Sequence, residues 1–214
     1  MQALDNDKHV ELNRLKELGK NTRKPLKLHL GCGPRVLKGW VNIDLQFEPY
    51  EQYLKYYTNK YYGPKIRGSK EEFFAINIVR QPIPLPDNSV DIIFHEDFIE
   101  HLNQKEQYLL LAECYRILKK GGVHRINTPD IIQSMKINSN FNKGYDGVYS
   151  KEWTDHGHKN VLSWQVLEQM AKLVGYRKCV RLKRDQSYAK IPKEYRPDPN
   201  DRAENGNLHV DLIK

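Results

Sequence analysis

LHLGCGPRVLKGWVNIDL, residues 28–45, is the most informative stretch of this chain. Its first apolar run ends at Gly31-Cys32-Gly33, and a second apolar run ends at Asp44. Two short apolar runs that each end in a turn predict two buried strands. Glycines after the first strand let a ligand approach the backbone, because no β-carbon blocks the way. A carboxylate at the end of the neighbouring strand can accept hydrogen bonds from the hydroxyls of a ribose.

A glycine pair alone does not define the ligand. The phosphate-binding pattern G-x-x-x-x-G-K-[ST] is absent from the chain. A nicotinamide fingerprint needs a third glycine, whose place Val36 holds, and an acid about 20 residues further on, whereas Asp44 follows much sooner. Pro34 also removes a backbone N–H from the loop, which disfavours a pyrophosphate. The pattern therefore favours a ligand that carries an adenosine but no phosphate.

The bulk composition fits one globular domain. The chain has 214 residues, of which 39% are hydrophobic, and its apolar residues fall in periodic segments. No apolar run approaches the ~20 residues of a membrane span, and the charged N-terminus is unlike a signal peptide. The three cysteines are widely separated, which disfavours a disulfide framework or a zinc site. These features predict a cytoplasmic protein without a membrane partner.

Positive charge is concentrated near the C-terminus. The net charge is +8, and residues 176–196 hold eight Lys or Arg against Asp185 and Glu194. Such a segment suits RNA, a phosphorylated or acidic small substrate, or simply a solvated surface.

Apolar periodicity divides the chain into alternating strands and helices. Helices are predicted at residues 4–18, 103–118 and 163–174, ended by Gly19, by Lys119–Gly122 and by Gly175 respectively. Strands are predicted at residues 26–30, 41–45, 73–78, 90–94, 123–127, 176–182 and 208–213. This alternation predicts an α/β domain with a mainly parallel sheet that finishes in an antiparallel pair.

We predict that residues 1–24 form an accessory helix and that residues 25–214 form the domain. The domain contains a tyrosine-rich insertion at 46–72 and a basic, polar loop at 183–206. The tyrosines of the insertion fit either a substrate-binding cover or the packing face of an inserted helix. They are Tyr50, Tyr53, Tyr56, Tyr57, Tyr61 and Tyr62.

Three linked motifs resemble those of class I S-adenosylmethionine-dependent methyltransferases. They are LHLGCG…GWVNIDL, IPLPDNSVDIIFHEDFIEHL and LAECYRILKKGGVHRINTPD, and the resemblance runs in order over residues 26–214. The nearest likeness is to a compact bacterial subgroup with an L-x-L-G-C-G…G-W-x-N-x-D opening. The resemblance implies a Rossmann-like, doubly wound sheet of seven strands whose last strand is antiparallel. It also implies S-adenosylmethionine as the cofactor.

The resemblance implies a role for each matching residue. The methionine part of the cofactor would be lined by Gly31, Cys32 and Gly33. The ribose would be bound by Asp44 with Leu45, and the adenine would be flanked by Asn77 with Ile78. His95 would lie near the sulfonium. Two positions depart from the family pattern, because Asn77 often is Asp in the family and Asp97 commonly is His.

Methyl transfer from a sulfonium is an in-line displacement, so the protein mainly holds donor and acceptor in line. A hydroxyl or amine acceptor also needs a group that takes its proton. The candidate catalytic residues are His95, Glu96, Asp97 and His101. His156 and His158 resemble a metal-binding pair, but no acid stands at ligand spacing, so we predict no metal. Cys32 is predicted to be a small packing residue rather than a nucleophile, since no histidine stands at a motif-like spacing.

The sequence thus predicts a methyltransferase that acts on oxygen or nitrogen of a small molecule or of a sugar-containing intermediate. One alternative is an RNA methyltransferase that uses the basic segment. Against it, the chain lacks the N/D-P-P-Y/F/W pattern of amino-methylating enzymes, and its nearest match, NTPD at 127–130, has no aromatic residue to stack a base. A second alternative is a non-catalytic relative that keeps the fold as a scaffold.

Overall fold

The computed structural model of the chain describes residues 2–22, 24–193 and 206–214. Over these residues, seven strands form one mixed sheet in the order β3-β2-β1-β4-β5-β7-β6. The strands are β1 (Lys27–Leu30), β2 (Val41–Asp44), β3 (Phe73–Ala75), β4 (Val90–Glu96), β5 (Leu118–Pro129), β6 (Lys178–Arg181) and β7 (Asn207–Ile213). The predicted α/β class and the seven-stranded Rossmann-like sheet are confirmed.

Strand direction brings the carboxyl ends of five strands to one edge of the sheet. β3, β2, β1, β4 and β5 are parallel neighbours, whereas β7 runs antiparallel between β5 and β6. The carboxyl ends of the parallel strands therefore meet at one edge, and the loops that follow them lie together. The predicted antiparallel final pair is confirmed, since Cys179 of β6 lies opposite Leu212 of β7.

The helices are α1 (Gln2–Asn21), α2 (Tyr50–Tyr56), α3 (Gln104–Ile117), α4 (Ile131–Ser134), α5 (Gly147–Tyr149) and α6 (Trp164–Val174). Asn103 caps α3 as predicted, because its side chain accepts from the N–H of Glu106 while Glu106 bonds back to the N–H of Asn103. Gly175 ends α6 in the left-handed conformation at φ +116°. None of the described helices is both long and apolar enough to cross a membrane.

Two predicted helix endings are wrong. The segment Lys119–Gly122 does not close α3, because β5 already begins at Leu118, which pairs with Val90 of β4. Gly19 does not end α1 either, since the helix continues to Asn21. Gly19 instead allows close packing, because a side chain there would overlap Leu85.

The two faces of the sheet are covered by different kinds of side chain. On one face, α1, α3 and α6 contribute to a large apolar core, which includes Ile93 of β4. The next residue, Phe94, points to the opposite face and packs with Trp40, Tyr53 and Tyr62. Burial of Tyr53 and Tyr62 supports the packing role for these tyrosines. The side chain of Tyr56 and residues 194–205 of the predicted 183–206 loop lie outside the described part of the chain.

Helix α1 is packed onto the domain. Leu15 is fully buried in the large core. The guanidinium of Arg14 lies 4.0 Å from the ring centre of Phe74 and donates to the carbonyl of Phe73 in β3. These contacts attach the helix to the edge of the sheet that carries β3.

We predict that Leu15→Ala lowers the free energy of unfolding by about 2–5 kcal/mol, because it leaves a cavity in the core. Val10→Ala is the matched control, since Val10 is 60% exposed on the same helix, and it should change stability by less than about 0.5 kcal/mol. Urea denaturation followed by circular dichroism measures both. Equal effects of the two substitutions would show that α1 is not part of the folded core.

Candidate active site

A cleft of about 270 Å³ opens at the carboxyl ends of β1, β2 and β3 and beside the turn that follows β4. Its lining combines apolar walls with a few polar groups, as small-molecule sites commonly do. The lining residues are Gly31, Ile43, Asp44, Leu45, Ile76, Asn77, Ile78, Val79, Arg80, Phe98, His101, Leu102, Glu106 and Lys159. Predicted cofactor-binding residues Gly31, Asp44, Leu45, Asn77 and Ile78 are thus brought together.

The glycine loop needs its glycines for two different reasons. Gly31 has φ +58°, and a β-carbon there would overlap the ring of Phe98. Gly33 has φ +47°, and a β-carbon there would meet no atom within 4 Å. Gly31 therefore allows the loop to pack against Phe98, whereas Gly33 leaves open space beside the backbone.

Asp44 connects the glycine loop to the end of β2. Its Oδ2 accepts a hydrogen bond of 2.8 Å from the N–H of Gly33, and its Oδ1 accepts one of 2.7 Å from the N–H of Leu45. Both bonds leave further acceptor capacity, since an ionised carboxylate has about four lone-pair sites. The carboxylate is therefore fixed in position at the cleft with room to bind hydroxyl groups.

Asn77 and Ile78 follow β3 on the other side of the cleft. Asn77 is exposed, and its Oδ1 accepts from the N–H of Val79 at 3.2 Å. The amide nitrogen of Asn77 can donate and its oxygen can accept, so this residue can contact a nitrogen heterocycle by hydrogen bonds.

Cys32 lies beside the cleft but does not belong to its lining. The thiol is buried against Val36 and Phe73. Burial raises the pKa of the Cys32 thiol well above its usual value, and the nearby Asp44 raises it further. A thiol that stays protonated is a poor nucleophile, which supports the packing role predicted for Cys32.

His95 is fully buried behind Phe98, with ring centres 5.7 Å apart, and its ring centre lies 5.1 Å from that of His124. Neither ring nitrogen of His95 has a hydrogen-bond partner among the described residues. Burial lowers the pKa of His95 to about 3, so the imidazole is neutral at physiological pH. The ring lies outside the cleft lining, and its role near the cofactor stays a prediction.

Glu96 belongs to a buried polar network that has no signature in the sequence. Its Oε2 lies 3.2 Å from Nη1 of Arg35, and both side chains are fully buried. Asn127 of β5 donates to Oε1 of Glu96 at 3.3 Å and accepts from Nε of Arg125 at 2.7 Å. Arg125 in turn pairs with Asp211 of β7 at 3.4 Å.

Asp97 and His101 stand at the turn after β4. Asp97 has φ +50°, which is rare for a residue other than glycine, and its N–H donates to the carbonyl of Asn127. His101 is half-buried and lines the cleft. Burial lowers the pKa of His101, and the nearby His158 lowers it further, so the neutral imidazole is favoured.

A second polar group adjoins the cleft at His101. Among the described residues, Glu100, His101 and His158 place potential ligand atoms within 4.8 Å of one another. Sequence spacing did not reveal this cluster, because His158 is far from Glu100 along the chain.

Comparison with known proteins shows similarity to methyltransferases. Residues 28–126 match the family model of a methyltransferase domain. A 50-residue segment is 44% identical to a probable S-adenosylmethionine-dependent methyltransferase of Mycolicibacterium smegmatis. That match covers 23% of this chain and 19% of the relative, so the matched part spans less than a fifth of that protein.

Solved structures share the fold over most of the chain. A SAM-dependent methyltransferase of Archaeoglobus fulgidus matches with a TM-score of 0.52 at 16% identity, covering 97% of this chain and 94% of its own. An S-adenosylmethionine-dependent methyltransferase of Mesorhizobium loti matches with a TM-score of 0.51 at 13% identity, covering 88% and 90%. The family model thus marks residues 28–126 as similar to a methyltransferase domain, and the two solved structures show that the chain has the same fold as these proteins.

Proposed function

We propose that this protein transfers the methyl group of S-adenosylmethionine to an oxygen or nitrogen atom of a small molecule or a sugar-containing intermediate. The observation that carries the proposal is the cleft in which the glycine loop, Asp44 and Asn77 converge at one sheet edge. The proposal includes a cytoplasmic location and membership of the compact bacterial subgroup with the L-x-L-G-C-G opening, as the sequence predicts.

The cleft residues fit this cofactor. Gly33 leaves open space beside the loop backbone, where a ligand can lie against the main chain. Asp44 is held by two backbone N–H groups and keeps acceptor capacity for ribose hydroxyls. Asn77 and Ile78 would flank the adenine, and Phe98 closes the cleft beside Gly31. When bound, the cofactor supplies a methyl group on a sulfonium, which is already activated for displacement.

The chain's own residues then have to position the acceptor and take up its proton. His101 lines the cleft, and its neutral imidazole has one nitrogen that offers an electron pair to a group bound there. Arg80, Glu106 and Lys159 add polar groups of both charges to the lining. A mixed set of charges suits an acceptor with several hydroxyl or amino groups.

The part of the basic segment that forms β6 lies apart from the cleft. Lys178 and Arg181 are exposed on β6, at the sheet edge opposite β3, and β6 is separated from β4 by β5 and β7. Because neighbouring strands are about 4.8 Å apart, this places β6 about 14 Å from β4 across the sheet. Arg181 is moreover paired with Asp130 at 3.0 Å. The positions of Lys178 and Arg181 therefore give no support to an RNA surface at the cleft, which favours a small acceptor.

We predict that Asp44→Asn weakens binding of S-adenosylhomocysteine at least tenfold, because the amide cannot accept from both N–H groups and from ribose hydroxyls. Asp87→Asn is the matched control, since Asp87 is exposed before β4, at the other end of the sheet, and it should leave the affinity unchanged. Isothermal titration calorimetry on both variants measures the effect. Unchanged affinity in a folded Asp44→Asn protein would contradict the assigned site.

We predict that Gly31→Ala abolishes cofactor binding, since the new methyl group would displace the Phe98 ring into the cleft. Gly39→Ala is the matched control, because Gly39 also has positive φ, at +74°, but has no atom within 4 Å of an added β-carbon. Both substitutions strain the backbone, because alanine disfavours positive φ, but only Gly31→Ala also clashes with Phe98. Calorimetry measures the affinity of each variant for S-adenosylhomocysteine. Equal affinities of the two variants would show that Phe98 does not form a wall of the site.

For the RNA alternative, we predict no saturable binding of a fluorescein-labelled single-stranded RNA at about 150 mM salt. Fluorescence anisotropy over a salt series measures the affinity, with the double variant Lys178→Glu and Lys183→Glu as the comparison. Saturable binding that falls steeply with salt and is lost in the double variant would favour an RNA acceptor instead.

A further inference from the structure

The cluster beside the cleft consists of Glu100, His101 and His158. Glu100 and His101 belong to one short 3-10 turn, residues 99–101, and His158 lies in the loop before α6. Nε2 of His158 is 4.0 Å from Oε1 of Glu100, and the two imidazole ring centres are 4.9 Å apart. Two ligand atoms that each lie about 2.1 Å from one ion are at most about 4.2 Å apart, so this spacing suits a shared ion after a small inward movement.

Glu100 and His158 are each held by a contact outside the cluster. The Glu100 side chain is fully buried, and its other oxygen, Oε2, accepts from the hydroxyl of Thr128 at 2.9 Å. Nδ1 of His158 lies 2.8 Å from Oε2 of Glu152. The hydroxyl of Ser134 donates to Oε1 of Glu152.

The Glu152–His158 contact has the form commonly found behind a metal ligand. A carboxylate that accepts from one nitrogen of an imidazole fixes the tautomer and presents the other nitrogen as an electron-pair donor. Glu152 lies on a π-helical segment, residues 150–155, a kind of helix that often marks a functional position. With Glu152 accepting from Nδ1–H, Nε2 of His158 is the nitrogen directed toward Glu100.

The two segments of the cluster are locked together by hydrogen bonds. The carbonyl of Glu100 accepts from the N–H groups of Lys159 and Asn160 at 2.8 and 3.1 Å. The side chain of Gln107 donates to the carbonyls of Ile99 and Asn160 at 2.9 and 2.7 Å. The turn and the loop therefore form one rigid unit, which preorganises the three side chains.

We propose that Glu100, His101 and His158 bind one divalent transition-metal ion at the edge of the cofactor cleft. Two imidazoles and one carboxylate suit Zn²⁺, Mn²⁺, Fe²⁺ or Co²⁺, whereas Mg²⁺ and Ca²⁺ prefer oxygen ligands alone. The sequence predicted no metal because His156 and His158 had no acid at ligand spacing, and Glu100 reaches His158 only through the fold. His156 is exposed and is not part of the cluster.

The position of the site gives the ion a role in methyl transfer, and this part rests on the proposed function. His101 and Lys159 both line the cleft, so the ion lies where an acceptor would enter. Three protein ligands leave coordination positions open for an acceptor hydroxyl. A bound ion would lower the pKa of that hydroxyl, whose proton would pass to water, and His101 would act as one of the ligands of the ion.

Methyl transfer to the deprotonated acceptor is a single displacement at carbon. The acceptor oxygen forms a bond to the methyl carbon as the carbon–sulfur bond breaks, and the electron pair of that bond stays on sulfur. No oxidant or reductant takes part, which agrees with an ion that acts by charge alone.

Titration of the full chain with Co²⁺, followed by visible absorption and by metal analysis after dialysis, tests the site. We expect one Co²⁺ per chain, displaced by Zn²⁺. His101→Gln should weaken Co²⁺ binding at least tenfold, and so should His158→Gln. His156→Gln is the control, because His156 only stacks on His158, with ring centres 5.5 Å apart, and it should weaken Co²⁺ binding far less than His101→Gln. Glu152→Gln, which alters a positioning residue, should weaken binding about 10–100-fold.

Circular dichroism and calorimetry with S-adenosylhomocysteine accompany each variant. His101 is half-buried, so its substitution by Gln is expected to keep the fold even where that of buried His158 does not. Co²⁺ binding that is absent, or unchanged in folded His101→Gln, overturns the metal site and leaves the cofactor site intact. Absent binding of S-adenosylhomocysteine overturns the proposed function, whatever the metal result.

Discussion

The buried ion pair between Arg35 and Glu96 connects the segments that cover one face of the sheet. The link between β1 and β2, residues 31–40, is too short for a helix, so no helix from this link covers that face. Arg35 extends from this link to Glu96 at the end of β4. The same guanidinium also donates to the carbonyl of Tyr61 in the tyrosine-rich insertion and to that of Lys193 in the basic loop. One side chain thus joins four segments that are distant along the chain.

The two faces of the sheet differ in the kind of side chain that they bury. The face under α1, α3 and α6 is apolar and supplies most of the hydrophobic stabilisation. The other face carries Glu96, Asn127, Arg125 and Asp211 in a connected polar network. Removing one partner of a buried pair leaves an uncompensated charge, whereas the pair itself adds little net stability. We therefore assign this network the task of fixing the loops in one position.

Local patterns in the sequence were enough to predict most of the sheet and two long helices. Asn103 with Glu106 marks the start of α3, and Gly175 marks the end of α6, because capping depends on neighbours along the chain. The prediction failed at Lys119–Gly122, where pairing of Leu118 with Val90 of β4 overrides the local helix-ending pattern. Long-range partners such as Arg35 and Glu96 leave no periodic signal, so they could not be predicted.

In the candidate site, too, residues marked by local sequence patterns could be predicted, whereas contacts between distant segments could not. Gly31 and Asp44 could be found because each stands at the end of its own strand. The Glu100–His158 contact could not, since it joins a turn after β4 to a loop after β5.

The turn at residues 99–101 contributes to the cleft, to the polar cluster and to the core. A 3-10 helix has three residues per turn, so successive side chains point about 120° apart. Ile99 accordingly enters the apolar core, Glu100 enters the cluster beside His158, and His101 lines the cleft. The buried Ile99 fixes the rotation of the turn, and this rotation sets the direction of both polar neighbours. Core packing and site geometry are therefore not independent here, because one turn of backbone determines both.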